Sequence, residues 1–247
     1  MENDVLEDLF PFDDELLANA AVKRPSCSTC ARPLPQCVCH CIAERHGTAT
    51  VVVVLQHPAE QNRQLRTVPL LQAGLVEEKC QVHVGKRFKN LDSIITPRTA
   101  LLFPGRDAVN CGDVDRGTYD TLICLDGTWP QARRLYQKNP ELQRLPKVML
   151  GPSDRRSVYL IHTQPTDMHL SSLESVGRAL EQLEGIEGLE ERLVRPLKEM
   201  VRTQFKFGAQ AHGTQAEARI VRKQEVKQGY KDLTVAPKLL DFDYDSF

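Results

Sequence analysis

The 247-residue chain has one tryptophan, and its longest apolar run, about Ala49 to Leu55, is far shorter than the ~20 residues of a membrane-spanning helix. No membrane partner is therefore expected. Residues 1–20 contain no Lys or Arg but seven acids, the reverse of a secretory signal or transit peptide, so the expected location is cytosol, nucleus or both. No G-x-G-x-x-G follows a strand, and G-x-x-x-x-G-K-[ST], G-x-S-x-G and H-E-x-x-H do not occur. Dinucleotide-binding, P-loop, serine-hydrolase and zincin chemistry thus lose support. No internal repeat is visible. The net charge of −1 gives no global nucleic-acid signal. Residues 196–231, however, hold eight Lys/Arg against three Glu, which reads either as a phosphate-following segment or as a solvated helix face.

Cysteine is abundant and clustered. Five of the eight fall within fifteen residues: Cys27, Cys30, Cys37, Cys39 and Cys41. In a chain without an export signal, such a cluster reads as a metal site rather than a disulfide framework. The loop between Cys30 and Cys37 carries two prolines and few apolar residues, so a metal would supply its stability. Cys27, Cys30, Cys37 and Cys39 are the expected ligands of a structural Zn²⁺, since four thiolates leave no open position for catalysis. Cys41 is one too many; it or His40 could replace Cys39, or Cys41 could be a small core residue.

Hydrophobic patterning predicts short, nearly continuously apolar strands at Thr50–Gln56, Gln81–Gly85, Thr99–Phe103, Thr121–Leu125, Lys147–Leu150 and Ser157–His162. Helical patterns lie near Ala59–Ala73, at Pro130–Asn139, from the S-x-x-E box at Ser171–Glu174 to Gly185, and at about Leu189–Phe207, where Pro196 should kink or break the helix. Alternating strands and helices predict an α/β fold with a largely parallel sheet. The expected division is an acidic lead over 1–22, a zinc knuckle over 23–45, a catalytic body over 46–208 and a tail over 209–247.

The body's most informative segment is Asp126-Gly127-Thr128-Trp129. It ends an apolar run and precedes Pro130, which suits a first helical position. The carboxyl end of a strand is where open α/β sheets bind ligands. The alternative is an ordinary turn with Asp126 or Thr128 as a helix cap.

Taken in order, these pieces resemble the DTW-domain family of tRNA-uridine aminocarboxypropyltransferases, nearest its eukaryotic two-type branch. The matching pieces are the Cys knuckle; Gln56-His57-Pro58 with Glu60; Arg63, Arg66 and Thr67; Leu101-Leu102-Phe103-Pro104-Gly105; Leu125-Asp126-Gly127-Thr128-Trp129 with Gln131-Ala132-Arg133; and Gln164-Pro165 leading to Leu170-Ser171-Ser172-Leu173-Glu174. They span about residues 27–207. The tetrad is one residue longer than the Asp-Thr-Trp that names the family, and Ser172 stands where many members have Thr.

The resemblance implies a fold similar to SPOUT-type methyltransferases, with a C-terminal knot. It also implies transfer of the aminocarboxypropyl group of S-adenosylmethionine to N3 of a tRNA uridine, with release of methylthioadenosine. Asp126 is then either the base that takes the N3 proton or a positioning group. The cofactor pocket would draw on Phe103, Pro104, Gly105, Leu125, Asp126, Gly127, Thr128, Trp129, Leu170, Ser171, Ser172, Leu173 and Glu174. Trp129 would wall the adenine, stack on the target base or belong to the core. Arg63, Arg66, Arg133 and Arg134 are candidate tRNA phosphate contacts, and Arg133 or Arg134 could instead meet the cofactor carboxylate. Two other readings stand beside this one: a SPOUT-type RNA methyltransferase using the same cofactor, and a non-catalytic zinc-knuckle RNA-binding protein.

Overall fold

A computed structural model describes residues 25–208 apart from 31, 43, 64, 152–156 and 160–169. The expected lead over 1–22, the tail after 208 and the Gln164-Pro165 pair lie outside the described residues. Among the described residues six strands form one sheet: β1 (Val51–Gln56), β2 (Cys80–Val84), β3 (Thr99–Leu102), β4 (Val109–Asn110), β5 (Thr121–Asp126) and β6 (Lys147–Met149). Their order is β2-β1-β5-β3-β6-β4, and every pairing is parallel. The predicted α/β class with a parallel sheet is what the chain adopts.

The helices are α1 (Val68–Gly74), α2 (Trp129–Lys138), α3 (Pro140–Gln143), α4 (Ser172–Glu184) and α5 (Leu189–Lys206). Successive strand residues point to opposite faces of the sheet. Val52, Val54 and Cys124 accordingly join a core with Leu70 and Leu71 of α1, Leu173, Val176 and Leu180 of α4, and Leu193, Leu197 and Met200 of α5. Val53, Leu55, Ile123 and Leu125 join a second core with Ala132 and Leu135 of α2 and Leu142 of α3. Covering both faces is why the strands read as unbroken apolar runs. Each fully buried Leu among them contributes roughly 1.5–3 kcal/mol.

α4 and α5 are also joined through a buried ion pair, with Arg178 Nη2 2.8 Å and Nε 3.0 Å from Glu190 Oε1. Ser171 and Glu174 form the expected capping box on α4, and Gly185 closes it with φ 64°. Pro196 sits buried inside α5, which continues through it rather than ending there. The cost is the hydrogen bond its missing N–H would have given to Arg192.

Five of the strands agree with the sequence reading to within one residue at each end. Other features differ, among them the short helix α3, which was not predicted. The helix expected at Ala59–Ala73 is two pieces: a 3₁₀ turn at Pro58–Asn62 and α1, with Arg63 extended between them at ψ 137°. One continuous helix would place Pro69 in its interior, whereas in α1 Pro69 occupies the first turn, where its missing donor is harmless. β4 was not predicted, being two residues on the sheet edge with no apolar run. Ser157–Tyr159, predicted as the start of a strand, is not in one among the described residues: the Val158 N–H goes to Glu174 Oε1 and the Tyr159 N–H to Ser157 Oγ. Residues 160–162 of that expected strand lie outside the described residues. A knotted path would turn on the connection between β6 and α4, most of which also lies outside them.

The sheet order fixes where a site can form. After β1 the chain turns at Pro58 and runs to α1 on one face, while after β5 it enters α2 on the opposite face. β1 and β5 are neighbours, with Gln56 paired to Asp126 at their carboxyl ends. Connections that leave adjacent strand ends for opposite faces open a crevice between them.

Candidate active site and metal-binding cluster

Asp126 ends β5 at the mouth of this crevice and is 7% exposed. Gln56 Nε2 donates to its Oδ2 at 2.8 Å, and Ser172 Oγ donates to its Oδ1 at 2.5 Å. Both oxygens are thereby held in one orientation, each with a lone-pair direction left over. The Ser172 hydroxyl comes from the first residue of α4, so the site draws on β1, β5 and α4 together. Ser171 is the helix cap; Ser172 serves the carboxylate.

The turn after β1 adds three groups. The His57 N–H donates to the Asp126 carbonyl at 2.9 Å, and His57 Nδ1 accepts from the Ala59 N–H at 3.2 Å. Desolvation, then the charges of Lys86, Arg134 and Lys138, hold the His57 imidazole below its ordinary pKa. Glu60 is 9% exposed and paired with Arg63, whose Nε lies 3.0 Å from Oε2. Burial pushes the Glu60 carboxyl upward; Arg63 opposes this and the Asp126 charge adds to it. Tyr159, whose hydroxyl donates to the Leu65 carbonyl at 2.6 Å, is pushed up to about 12, chiefly by burial.

On the other side of Asp126, Phe103 stacks on Tyr136 with ring centroids 4.7 Å apart and lies 6.2 Å from Trp129, tilted by 55°. Phe103, Trp129 and Tyr136 thus form an aromatic group beside the end of β5. Gly127 has φ 156°, and a Cβ there would lie 3.0 Å from Gln131 Oε1. That close approach lets Gln131 Oε1 accept from the Thr128 N–H at 2.7 Å and cap α2. A Cβ on Gly105 would lie 2.9 Å from Asp107 Oδ1, so a side chain would crowd this exposed turn, which Pro104 precedes.

Leu170 and Ser171 are half-buried at the start of α4. The side chains of Leu125 and Leu173 belong to the two cores. Glu174 is spent on structure: it accepts from Ser157 Oγ at 2.9 Å, the Val158 N–H at 2.7 Å and the Ser171 N–H at 2.7 Å. It pins residues 157–159 against the helix start and so supports the site from behind.

Of the four arginines predicted to face phosphate, Arg63 and Arg66 follow β1 and are half-buried, while Arg133 and Arg134 are exposed on α2. The Arg66 carbonyl accepts from Arg32 Nη2 at 2.8 Å. Lys86 and Lys138, which sequence reading did not single out, act on His57 alongside Arg134. Gln56, Glu60 and Tyr159 were likewise not proposed as site residues. The Gln56-His57-Pro58 motif with Glu60 was visible, but nothing local marks Glu60 as buried or Tyr159 as near.

The knuckle cysteines converge. The sulfurs of Cys27, Cys30, Cys37 and Cys39 all lie within 4.8 Å of one another, with Cys27–Cys39 at 3.7 Å and Cys30–Cys37 at 3.9 Å. Tetrahedral Zn–S bonds of about 2.3 Å require sulfurs about 3.8 Å apart, so the cluster can hold such an ion. Backbone N–H groups of Cys30 and Thr29 draw the Cys27 thiol down to about 6, favouring the thiolate that ligates metal. His40 is exposed, and neither it nor Cys41 belongs to the cluster. Cys41 instead lines a small cavity with His46, Arg192 and Arg195. Cys80, Cys111 and Cys124 are buried and their thiols pushed up by desolvation, which disfavours the thiolate. The knuckle is keyed to the body by Val38, fully buried in the first core, and by Arg32, which also donates to Met200 Sδ at 3.0 Å.

Among the described residues no helix is long and apolar enough to cross a membrane. Residues 24–205 match the DTW domain family. A Drosophila melanogaster protein named tRNA-uridine aminocarboxypropyltransferase 2 is 42% identical over 227 residues, covering 86% of each chain. A Macaca fascicularis protein of the same name is 39% identical over 206 residues, 79% of this chain and 69% of the relative. An Arabidopsis thaliana protein named tRNA-uridine aminocarboxypropyltransferase A is 24% identical over 75% of this chain and 83% of its own. No solved structure matches.

Proposed function

We propose that this chain, which belongs to the DTW-domain family, is a tRNA-uridine aminocarboxypropyltransferase that uses S-adenosylmethionine as donor and N3 of a uridine as acceptor. The observation that carries the reading is the buried Asp126 carboxylate at the β1–β5 crevice, oriented by Gln56 and Ser172.

Uridine N3–H is a poor nucleophile until it loses its proton. A fixed carboxylate can take that proton as the N–C bond forms. Asp126 is the base in this scheme: Gln56 and Ser172 keep its two oxygens aimed, and burial keeps water from competing for them. When bound, S-adenosylmethionine supplies a sulfonium whose three attached carbons are all electrophilic. The protein selects the product by holding one of them in line with N3.

The residues present fit such a donor. Phe103 and Trp129 offer aromatic faces for the adenine. Gly105 and Gly127 stand where a Cβ would crowd the turns. The backbone N–H groups that open α4 suit a carboxylate. Arg63, Arg66, Arg133 and Arg134, with Lys86 and Lys138, are the cations we assign to tRNA phosphates. The four-cysteine cluster holds a structural Zn²⁺ in this reading, which also includes a SPOUT-like knotted path between β6 and α4 and a cytosolic or nuclear location.

The test is incubation of the protein with S-adenosylmethionine and unmodified tRNA, followed by mass analysis of nucleosides and by-product. Aminocarboxypropyl-uridine with methylthioadenosine is the expected result. A methylated nucleoside with adenosylhomocysteine would overturn the chemistry and leave the donor; binding of tRNA without any product would favour a non-catalytic role.

A further inference from the structure

Glu60 carries an unexplained atom. Its Oε2 is held by Arg63, but Oε1 is buried and has no hydrogen-bond partner. Buried acceptors are normally satisfied, because an unmade bond leaves their desolvation uncompensated. The residue is not a distant oddity of the fold. Its N–H donates to the His57 carbonyl at 3.0 Å, and the His57 N–H donates to the Asp126 carbonyl at 2.9 Å. Two backbone bonds therefore fix the Glu60 turn to the end of β5, and the Asp126 charge is felt at the Glu60 carboxyl. Tyr159 feels both acids, so the three groups share one locale.

The charges of this locale bear on what could meet Oε1. Arg63 and the buried Arg32 both act in this locale beside the two carboxylates, so its overall charge is balanced; what is left over is the Glu60 Oε1 acceptor itself, and an uncompensated carboxylate oxygen away from water favours a charged donor. A divalent metal is the weaker occupant: among the described residues, the only cluster of three or more metal-ligating side chains is the cysteine knuckle. An organic ammonium needs only acceptors, and Oε1 is one already stripped of water.

We propose that Glu60 Oε1 accepts a hydrogen bond from the primary ammonium of the donor's amino-acid head, making Glu60 the residue that distinguishes an α-amino donor from one lacking the amine. This rests on the function proposed above. It divides the two acids of the crevice: Asp126 faces the reacting uridine, while Glu60 holds the amine of the group to be transferred. The bound ammonium satisfies Oε1.

The test is calorimetric titration of the full-length protein and of Glu60→Gln with S-adenosylmethionine and with its desamino analogue. The wild type should bind S-adenosylmethionine about 10- to 100-fold more tightly than the analogue, as expected for one charge-assisted hydrogen bond in a dry site. Glu60→Gln should bring the two ligands to near-equal affinity. A wild type that does not discriminate, or a Glu60→Gln protein that still discriminates fully, would overturn the assignment. So would a variant that loses affinity only for tRNA. The wild-type comparison needs no substitution, and Glu60→Asp, which keeps the charge but shortens the reach, should fall between the two. Methyl transfer in the product assay would overturn the proposed function alone and leave ammonium discrimination standing; a wild type that binds no S-adenosylmethionine would overturn both.

Discussion

The cysteine knuckle and the strand-end crevice are built by opposite means. The knuckle gathers four like side chains from thirteen consecutive residues, 27 to 39, and its geometry is set by a loop too short and polar to fold alone. The crevice gathers unlike side chains from Gln56, Glu60, Asp126, Tyr159 and Ser172, and its geometry is set by strand register and helix packing. The first should therefore fail as a fold when its ligands are removed. The second should fail as chemistry while its fold persists.

The largest effect expected is on the knuckle. Zinc contributes about 10–16 kcal/mol to isolated zinc-finger peptides. Chelation, or Cys30→Ser, should lower the melting temperature on the order of 10 °C or more, because several kcal/mol are lost from a domain of this size. An unchanged melting curve together with no bound zinc by elemental analysis would refute the metal site. Next comes Asp126→Ala, for which transfer should drop by about 10²- to 10⁴-fold, the usual worth of a positioned base. Its melting transition should barely move; a large loss of stability with retained specific activity would place Asp126 with the scaffold instead.

Glu174→Ala blurs the contrast on purpose, because it breaks the support behind the crevice. Three hydrogen bonds to a buried carboxylate are lost, which should cost on the order of 3 kcal/mol in urea denaturation. Activity should fall with it as residues 157–159 come loose from α4. Unaltered denaturation would show that the cap and the 157–159 segment are held by something else.

The smallest effect is the pH dependence of Glu60. Burial raises its carboxyl above the unfolded value, so the folded state binds the extra proton. As pH rises from the ordinary glutamate range through that raised value, the unfolded chain ionises first and folding loses stability. Glu60→Gln removes this burden. It should melt slightly above the wild type at neutral pH, with the gap closing as pH falls below the ordinary glutamate pKa. A variant that melts below the wild type at every pH would mean that the Arg63 pair outweighs the desolvation.

The two regions also differ in how far they could be read in advance. Cys27, Cys30, Cys37 and Cys39 were legible because ligand spacing is a local property; only the spare Cys41 and His40 needed three dimensions to set aside. The Asp126–Trp129 turn and the Ser171–Glu174 cap were legible for the same reason, each being a strand end or helix start written in a few residues. The Ser172–Asp126 bond joins positions 46 residues apart and the Gln56–Asp126 bond positions 70 apart, so no short-range pattern announces either. Glu60 is the clearest case. In sequence it is an acid in a polar turn, and only the seating of that turn against β5 dries it out. The break at Arg63 was missed because the pattern near 59–73 was read through Pro69, a residue that opens a helix more readily than it sits inside one.

The register of β1 against β5 has a consequence for synthesis. A ribosome delivers Gln56 long before its partner Asp126, and Asp126 long before Ser172. The cysteines, by contrast, are all in place once residue 39 has emerged. A nascent chain can thus bring its four thiols together early, while the Asp126 carboxylate stays unaligned until α4 arrives to contribute its first hydroxyl. Any truncated product ending before residue 171 would carry all four cysteines but lack the Ser172 hydroxyl, so it could not have its Asp126 held as the complete chain holds it.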